Sequence, residues 1–419
     1  MRVYKILSFP VVILLITVLF AGAMTVSAAA QTDTMMFRYN TQHTGDYSPV
    51  AGRSNGPLTW SFTTGGYVGS SPAVAKGVVY VGSWDHNLYA INATTAAELW
   101  KYTTKGEVYS SPAVVNGVVY VGSYDHNVYA LNATTGAKLW NYTTKSLVYS
   151  SPAIVNSVVY VGSEDGKVYA LNATTGAKLW NYTTGNSVLS SPTVSNGVVY
   201  VGSTDNNTYA LNATTGAKLW SYTTGAAVLS SPAVVNGVVY VGSYDHNVYA
   251  LNATTGVKLW SYAAGSYVDS SPAVANGTVY VGSWVTNVYA LNATTGAKLW
   301  NYTTGSYVES SPAVANGTVY VGSDDGNFYA LNATTGAKLW SYTTEDAVLS
   351  SPAVANGVVY VGSNDGNVYA LSNAPAATSQ GATPGFDVTL ASVGLVIAAY
   401  IVKWRGRPPL FSSEARPRF

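Results

Sequence analysis

The chain has 419 residues, 48 % apolar and only 9 % charged, with 34 Tyr, 11 Trp and no Cys. Such a stock of packing surface excludes a disordered chain, and the missing thiols exclude disulfides, thiolate metal sites and a lipid-modified cysteine. Residues 31–383 carry 13 basic and 17 acidic residues with no basic cluster, which excludes the positive footprint that nucleic acid needs.

In chain order, residues 1–30 read as a secretory signal peptide. Arg2 and Lys5 form the basic start, an apolar run spans 6–20, and small residues follow at 27–30. A lead-in over 31–57 comes next. From residue 58 to 373 the chain repeats itself every 40 residues. Trp recurs at Trp60, Trp100, Trp140, Trp180, Trp220, Trp260, Trp300 and Trp340, and Pro keeps step from Pro72 to Pro352. A fixed period of this length means that each unit buries its apolar face only against its neighbours.

Within one unit, short Val- and Tyr-rich runs are broken by Gly, Asn and Asp about every ten residues. That pattern predicts four antiparallel strands, placed in the second unit at 108–115, 118–123, 127–132 and 138–143. Asn116-Gly117 is a two-residue hairpin signal. Four strands per unit is one propeller blade, so the predicted fold is all-β: an eight-bladed β-propeller of four-stranded antiparallel blades. The ends predict closure. The segment around Trp60 is a spare outer strand, and the last unit, ending at Asn373, lacks one. An N-terminal strand over 58–64 is therefore expected to close the ring against 367–371, protecting both edges.

The run from Tyr129 to Trp140, Tyr-Ala-Leu-Asn-Ala-Thr-Thr-Gly-Ala-Lys-Leu-Trp, resembles the tryptophan-docking repeat of PQQ-type, quinoprotein-like β-propellers. That pattern is Ala-x-Asp-x-x-Thr-Gly-x-x-x-Trp, with Asn132 here in the Asp place. Seven units carry it, the first with Ala96 for Gly. The resemblance implies eight blades, each Trp packing against the next blade and largely buried. The lead-in from Phe37 to Gly45 is similar to that of secreted archaeal members.

Beyond Asn373 the composition shifts. Residues 374–387 form a linker ending in Pro384-Gly385-Phe386, residues 388–402 are apolar, and 403–419 are a basic tail. This resembles an archaeal PGF-type C-terminal sorting signal, in which the tail gives way to a lipid anchor. A retained membrane anchor is the alternative; fifteen apolar residues are short for a span of about 20. Either way the propeller is expected outside the cell and tethered to its surface.

The resemblance raises the question of catalysis. A quinoprotein dehydrogenase clamps its quinone with a vicinal Cys pair and holds Ca²⁺ with carboxylate and amide groups. This chain has no Cys, and its blades lack the long insertions of those enzymes. The expectation is therefore no enzyme activity, no catalytic residues and no cofactor. A PQQ-dependent dehydrogenase and a purely structural wall component are the alternatives to a binding or scaffold module of the archaeal envelope, whose partner would be an unidentified envelope protein or glycan.

Comparison among the copies locates a candidate face. Residues 110–140 and 230–260 differ only at Ala137 and Val257. Variation collects at the turn between the second and third strands and at the connection between blades, which share one face of an up-and-down blade. Trp84, Tyr124, Tyr244 and Trp284 stand at the first, and Asp269 and Glu309 occupy equivalent positions at the second. The aromatics suit a recognition surface. The two acids fall short of the roughly six oxygen ligands of a hard-cation site, so solvated carboxylates are expected, and no metal site. His86, His126 and His246 repeat one turn position and read as exposed turn residues.

Export makes N-glycosylation an expectation. Sequons begin at Asn92, Asn132, Asn172, Asn212, Asn252, Asn292 and Asn332 in the docking turn, and at Asn141, Asn181, Asn206, Asn276, Asn301 and Asn316 elsewhere.

Overall fold

The structure is a computed structural model, and it describes residues 34–35, 37, 40, 42–45, 47 and 58–372. The signal-peptide, linker and C-terminal anchor assignments lie outside these residues.

Each blade is built the same way. In blade 2 the strands, from the axis outward, are Ala113–Val115, Val118–Gly122, Asn127–Asn132 and Lys138–Thr143, paired antiparallel in sequence order. Blades 1 to 8 start at Ala73 and then at every fortieth residue up to Ala353. The first turn is Asn116-Gly117, with φ of 51° and 76°, the left-handed pair of a type I′ hairpin. The two middle strands are almost wholly buried because they are sandwiched between neighbouring blades. The outermost strand has an open edge and is mostly exposed. A register shift between Lys138 and Trp140 turns Leu139 out to solvent and Trp140 in.

The innermost strand is shorter than the expected 108–115. Only three residues pair before Pro112 interrupts the donor row. Val108 instead fixes the connection between blades: its N–H bonds the Ser83 carbonyl at 3.1 Å. Its side chain fills the space beside Gly82, where no Cβ would fit. The second strand stops at Gly122 rather than Ser123, although in blades 3 and 6 it reaches Ser163 and Ser283.

Docking between blades is specific. Trp100 Nε1 donates to the Ala133 carbonyl of blade 2 at 3.0 Å, and the Tyr80 hydroxyl donates to the same oxygen at 3.1 Å. The indole lies over Gly136, which takes a φ of 70° and has no room for a Cβ. Trp140, Trp260 and Trp300 are buried as expected, but the other five docking tryptophans are only half-buried. All eight sit on outermost strands, which pair with no further strand among the described residues.

The ring closes as the repeat ends predict. Leu58–Thr63 is the outermost strand of blade 8, with Leu58 opposite Leu371 and Thr63 opposite Asn367. Trp60 Nε1 then docks on the Ala93 carbonyl of blade 1 at 2.9 Å.

Candidate functional site

The innermost strands and the connections leading into them surround an axial channel. Two rings of side chains line it, one residue per blade in each. The deeper ring is all serine, from Ser71 to Ser351 in steps of 40. Each backbone N–H bonds the next blade's hydroxyl oxygen at 2.9–3.0 Å, from Ser71 to Ser111 and finally from Ser351 back to Ser71. The chain of eight bonds is circular, so each serine serves packing. The outer ring, toward the varied face, is Gly69, Tyr109, Tyr149, Leu189, Leu229, Asp269, Glu309 and Leu349. It contains most of the chemistry.

The lead-in lies at the other end. Thr34–Met35 pairs with the innermost strand of blade 2. The carbonyls of Gln42, Thr44 and Gly45 accept the N–H groups of Val234, Val274 and Val314 in blades 5, 6 and 7. His43 Nδ1 meets the Thr193 hydroxyl of blade 4 at 2.8 Å. Phe37 joins the channel lining. The lead-in thus satisfies inner-edge donors that would otherwise face the axis. Sequence reasoning gave this segment no structural role.

Both connections expected on one face meet there: Trp84 N–H bonds the Tyr67 carbonyl at 2.9 Å, and Trp284 N–H bonds that of Tyr267 at 3.1 Å. Two aromatic clusters form around the mouth. Tyr67, Trp84, Tyr109, Tyr124 and Tyr149 make one across blades 1 to 3, with Tyr109 and Tyr149 stacked at 4.2 Å. Gly69 makes room for the Tyr109 ring. Tyr244, Tyr267, Trp284 and Tyr307 make the other across blades 5 to 7, with Trp284 and Tyr307 stacked at 5.2 Å. Tyr67, Trp84, Tyr267 and Tyr307 remain exposed, while Tyr124, Tyr244 and Trp284 are half-buried. Within the second cluster, blade 6 alone departs from the turn chemistry of the other blades. Elsewhere an aspartate such as Asp85 accepts the hydroxyl of a tyrosine four residues on, here Tyr89, and a backbone N–H of the preceding connection. Blade 6 has Val285 there, and Tyr289 donates to the Ala264 carbonyl instead. An Asp and a Tyr four apart in seven units is the sequence signal for this clamp.

The expectation of solvated carboxylates is not met. Asp269 and Glu309 project into the mouth and are half-buried, and Asp324 joins them. Burial raises Asp269 to about 6, partly offset by the Tyr244 hydroxyl, which donates to it at 3.2 Å. Burial, then the charges of Asp324 and Asp269, raise Glu309 to about 7. Burial and Asp325 raise Asp324 to about 6. Tyr109 feels these acids as well and is pushed up to about 12, chiefly by burial. Asp324 Oδ1 and Trp284 Nε1 are buried without a hydrogen-bond partner among the described residues. Among the described residues no group of three or more His, Cys, Asp or Glu is placed to hold a metal ion. His86, His126 and His246 are exposed, with φ of 72–76° at a left-handed turn position that holds Gly166, Gly326 and Gly366 in other blades.

Comparison with known proteins agrees with this architecture. Residues 39–237 match the family model of the β-propeller of beta-alanine-activating enzyme. Residues 183–307 and 263–375 match that of outer membrane protein assembly factor BamB, and residues 383–405 match the PGF-CTERM motif. The chain is an eight-bladed, PQQ/BamB-like β-propeller with an archaeal PGF-CTERM sorting motif. The motif makes this propeller an extracellular protein anchored at the cell surface. Among solved structures it is similar to BamB from Moraxella catarrhalis, at 23 % identity and TM-score 0.66, covering 76 % of this chain and 99 % of that one. It is similar to the computationally designed Ika8 protein, at 20 % and 0.70, covering 76 % and 100 %. The quinohemoprotein alcohol dehydrogenase from Comamonas testosteroni matches at 17 % and 0.71, covering 88 % of this chain and 85 % of that one. At these identities the likeness is one of fold. No curated protein matches the chain.

Proposed function

We propose that this surface-anchored propeller is a non-catalytic binding module of the archaeal envelope, and that its aromatic and acidic channel mouth engages an envelope protein or glycan. The observation that carries this reading is the cost built into the mouth. Three carboxylates are partly desolvated, and Asp324 Oδ1 and Trp284 Nε1 are buried without partners among the described residues. Unpaired buried polar groups destabilise a fold, and a ligand that pairs them recovers that energy. Exposed rings on both sides supply broad apolar contact beside those polar groups. The near-identity of the blades elsewhere argues against a division of catalytic labour.

The test uses Tyr307→Ala combined with Trp84→Ala, two exposed mouth residues whose loss leaves the core intact. Co-sedimentation with isolated envelope is expected to weaken about tenfold or more, with melting unchanged. Equal binding by both proteins overturns the assignment of the face, and no binding by the wild type favours the structural-wall reading. Assays with added quinone, Ca²⁺ and alcohols are expected to show no substrate-dependent dye reduction; turnover would overturn the non-catalytic reading.

A further inference from the structure

The thirteen sequons fall into four structural environments. In the seven docking turns the side-chain carbonyl is engaged within the turn: Asn132 Oδ1 accepts the N–H groups of Thr134 and Thr135 at 2.9 and 3.0 Å. The middle residue of that sequon, Ala133, is the acceptor on which Trp100 and Tyr80 dock. Asn206 has a φ of 73°, and the threonine of its sequon, Thr208, is fully buried. Asn276 and Asn316 occupy the left-handed first position of tight hairpins, with φ of 48° and 47°.

Asn141, Asn181 and Asn301 differ from all of these. Each lies in an outermost strand whose far edge pairs with nothing among the described residues. Strand alternation turns the middle residue inward, where Tyr142 packs on Tyr169 of the next blade at 5.5 Å. The same alternation turns asparagine and threonine outward together: Asn141 and Asn301 are exposed, Asn181 is half-buried, and Thr143, Thr183 and Thr303 are all exposed. Asn141 makes two exposed bonds, Nδ2 donating to Asn127 Oδ1 at 3.0 Å and Oδ1 accepting from Lys138 Nζ at 3.2 Å, and Asn301 repeats them with Asn287 at 3.2 Å and Lys298 at 3.3 Å. Beside them Leu139, Leu179 and Leu299 are 52–53 % exposed. An open strand edge next to an apolar side chain is an aggregation hazard that a bulky hydrophilic group would block.

We infer that Asn141, Asn181 and Asn301 are the N-glycosylated positions of this protein, on blades 2, 3 and 6. The donor class is a glycan carried on a lipid phosphate. The asparagine Nδ2 attacks the anomeric carbon, the new N–C bond replaces the C–O bond to phosphate, and the lipid phosphate leaves. The displaced amide proton passes to a base of the transferase, and no electrons are exchanged with an oxidant or reductant.

The full-length protein, purified from the envelope of the cells that make it, is digested and its glycopeptides are mapped by mass spectrometry. Lys145, Asn186 and Ser306 distinguish the three otherwise similar peptides. Glycan mass is expected on all three, with unmodified asparagine in the docking turns. Thr143→Ala should remove the mass at Asn141 alone and Thr143→Ser should retain it. Unmodified asparagine at two or more of the three positions, or glycan mass in the docking turns, overturns the inference.

Discussion

At the residue scale, two sets of carboxylates oppose each other in their effect on stability. Asp269, Glu309 and Asp324 are raised to about 6, 7 and 6 by burial, whereas unfolded carboxyls titrate near 4. Between pH 4 and 7 the native chain therefore holds protons that the unfolded chain has released. Stability falls as pH rises through that window and levels off above it. Asp85, Asp125, Asp245 and Asp325 behave oppositely. Burial pushes them up, but a tyrosine hydroxyl and backbone N–H groups outweigh it, so their contribution is present above about pH 4 and lost in acid. Glu309→Gln should melt with the wild type at pH 4 and above it at pH 8, as followed by circular dichroism. A second residue-scale prediction concerns the docking turn. Ala96 holds a φ of 59° where six other units have Gly. Ala96→Gly is expected to stabilise by about 1 kcal/mol. Gly136→Ala, whose Cβ would stand 2.8 Å from the Trp100 ring, is expected to destabilise by about 1–3 kcal/mol. Denaturant midpoints check both.

At the element scale, the outermost strand carries the docking tryptophan and also has an open edge. Each docking ring packs on the next blade in the same way, so the cost of truncation should be similar from copy to copy. Trp140→Ala, at 9 % exposure, is expected to cost about 3–5 kcal/mol. Trp220→Ala should cost about as much, because that ring docks on the next blade through the same 2.9 Å bond. Trp220→Phe keeps most of the apolar contact and loses the 2.9 Å bond to Ala253, for about 1 kcal/mol. Chemical denaturation should place both alanine variants below Trp220→Phe. The closing strand differs from the others because its partner is some 300 residues away in sequence. Removing residues up to 64 uncovers Asn367–Ser372 as a buried strand suddenly at an edge. That protein is expected to aggregate or unfold without cooperativity, measured by size exclusion and calorimetry.

At the scale of the whole molecule, closure turns a linear array into a ring. An open repeat array unfolds with nearest-neighbour cooperativity and can fray from its ends. Here the serine ring and the blade 8 to blade 1 docking leave no free end. The propeller is therefore expected to unfold in one transition with equal calorimetric and van't Hoff enthalpies. Ser191→Ala deletes one acceptor of the ring and leaves the Ser151 N–H unpaired. It should cost about 1–2 kcal/mol and lower the single transition without splitting it.

The sequence by itself determined the blade count, the strand order, the turns and the closing pair, because each is written in local chemistry repeated in register. Asn-Gly fixes the first hairpin, Gly136 fixes the docking turn, and a surplus strand at one end matches a deficit at the other. It also placed the variable aromatics on a single face, since that follows from up-and-down connectivity. Only the tertiary structure decided what depends on distance from the axis. Asp269 and Glu309 look like ordinary loop acids until ring closure brings eight connections together and half-buries them at the channel mouth. The half-burial of five docking tryptophans, the lead-in's hold on the inner strands and the exposure of Asn141 against the in-turn engagement of Asn132 have the same origin. A repeat specifies its contacts with the next blade. How much solvent reaches a residue depends on the closed ring as a whole.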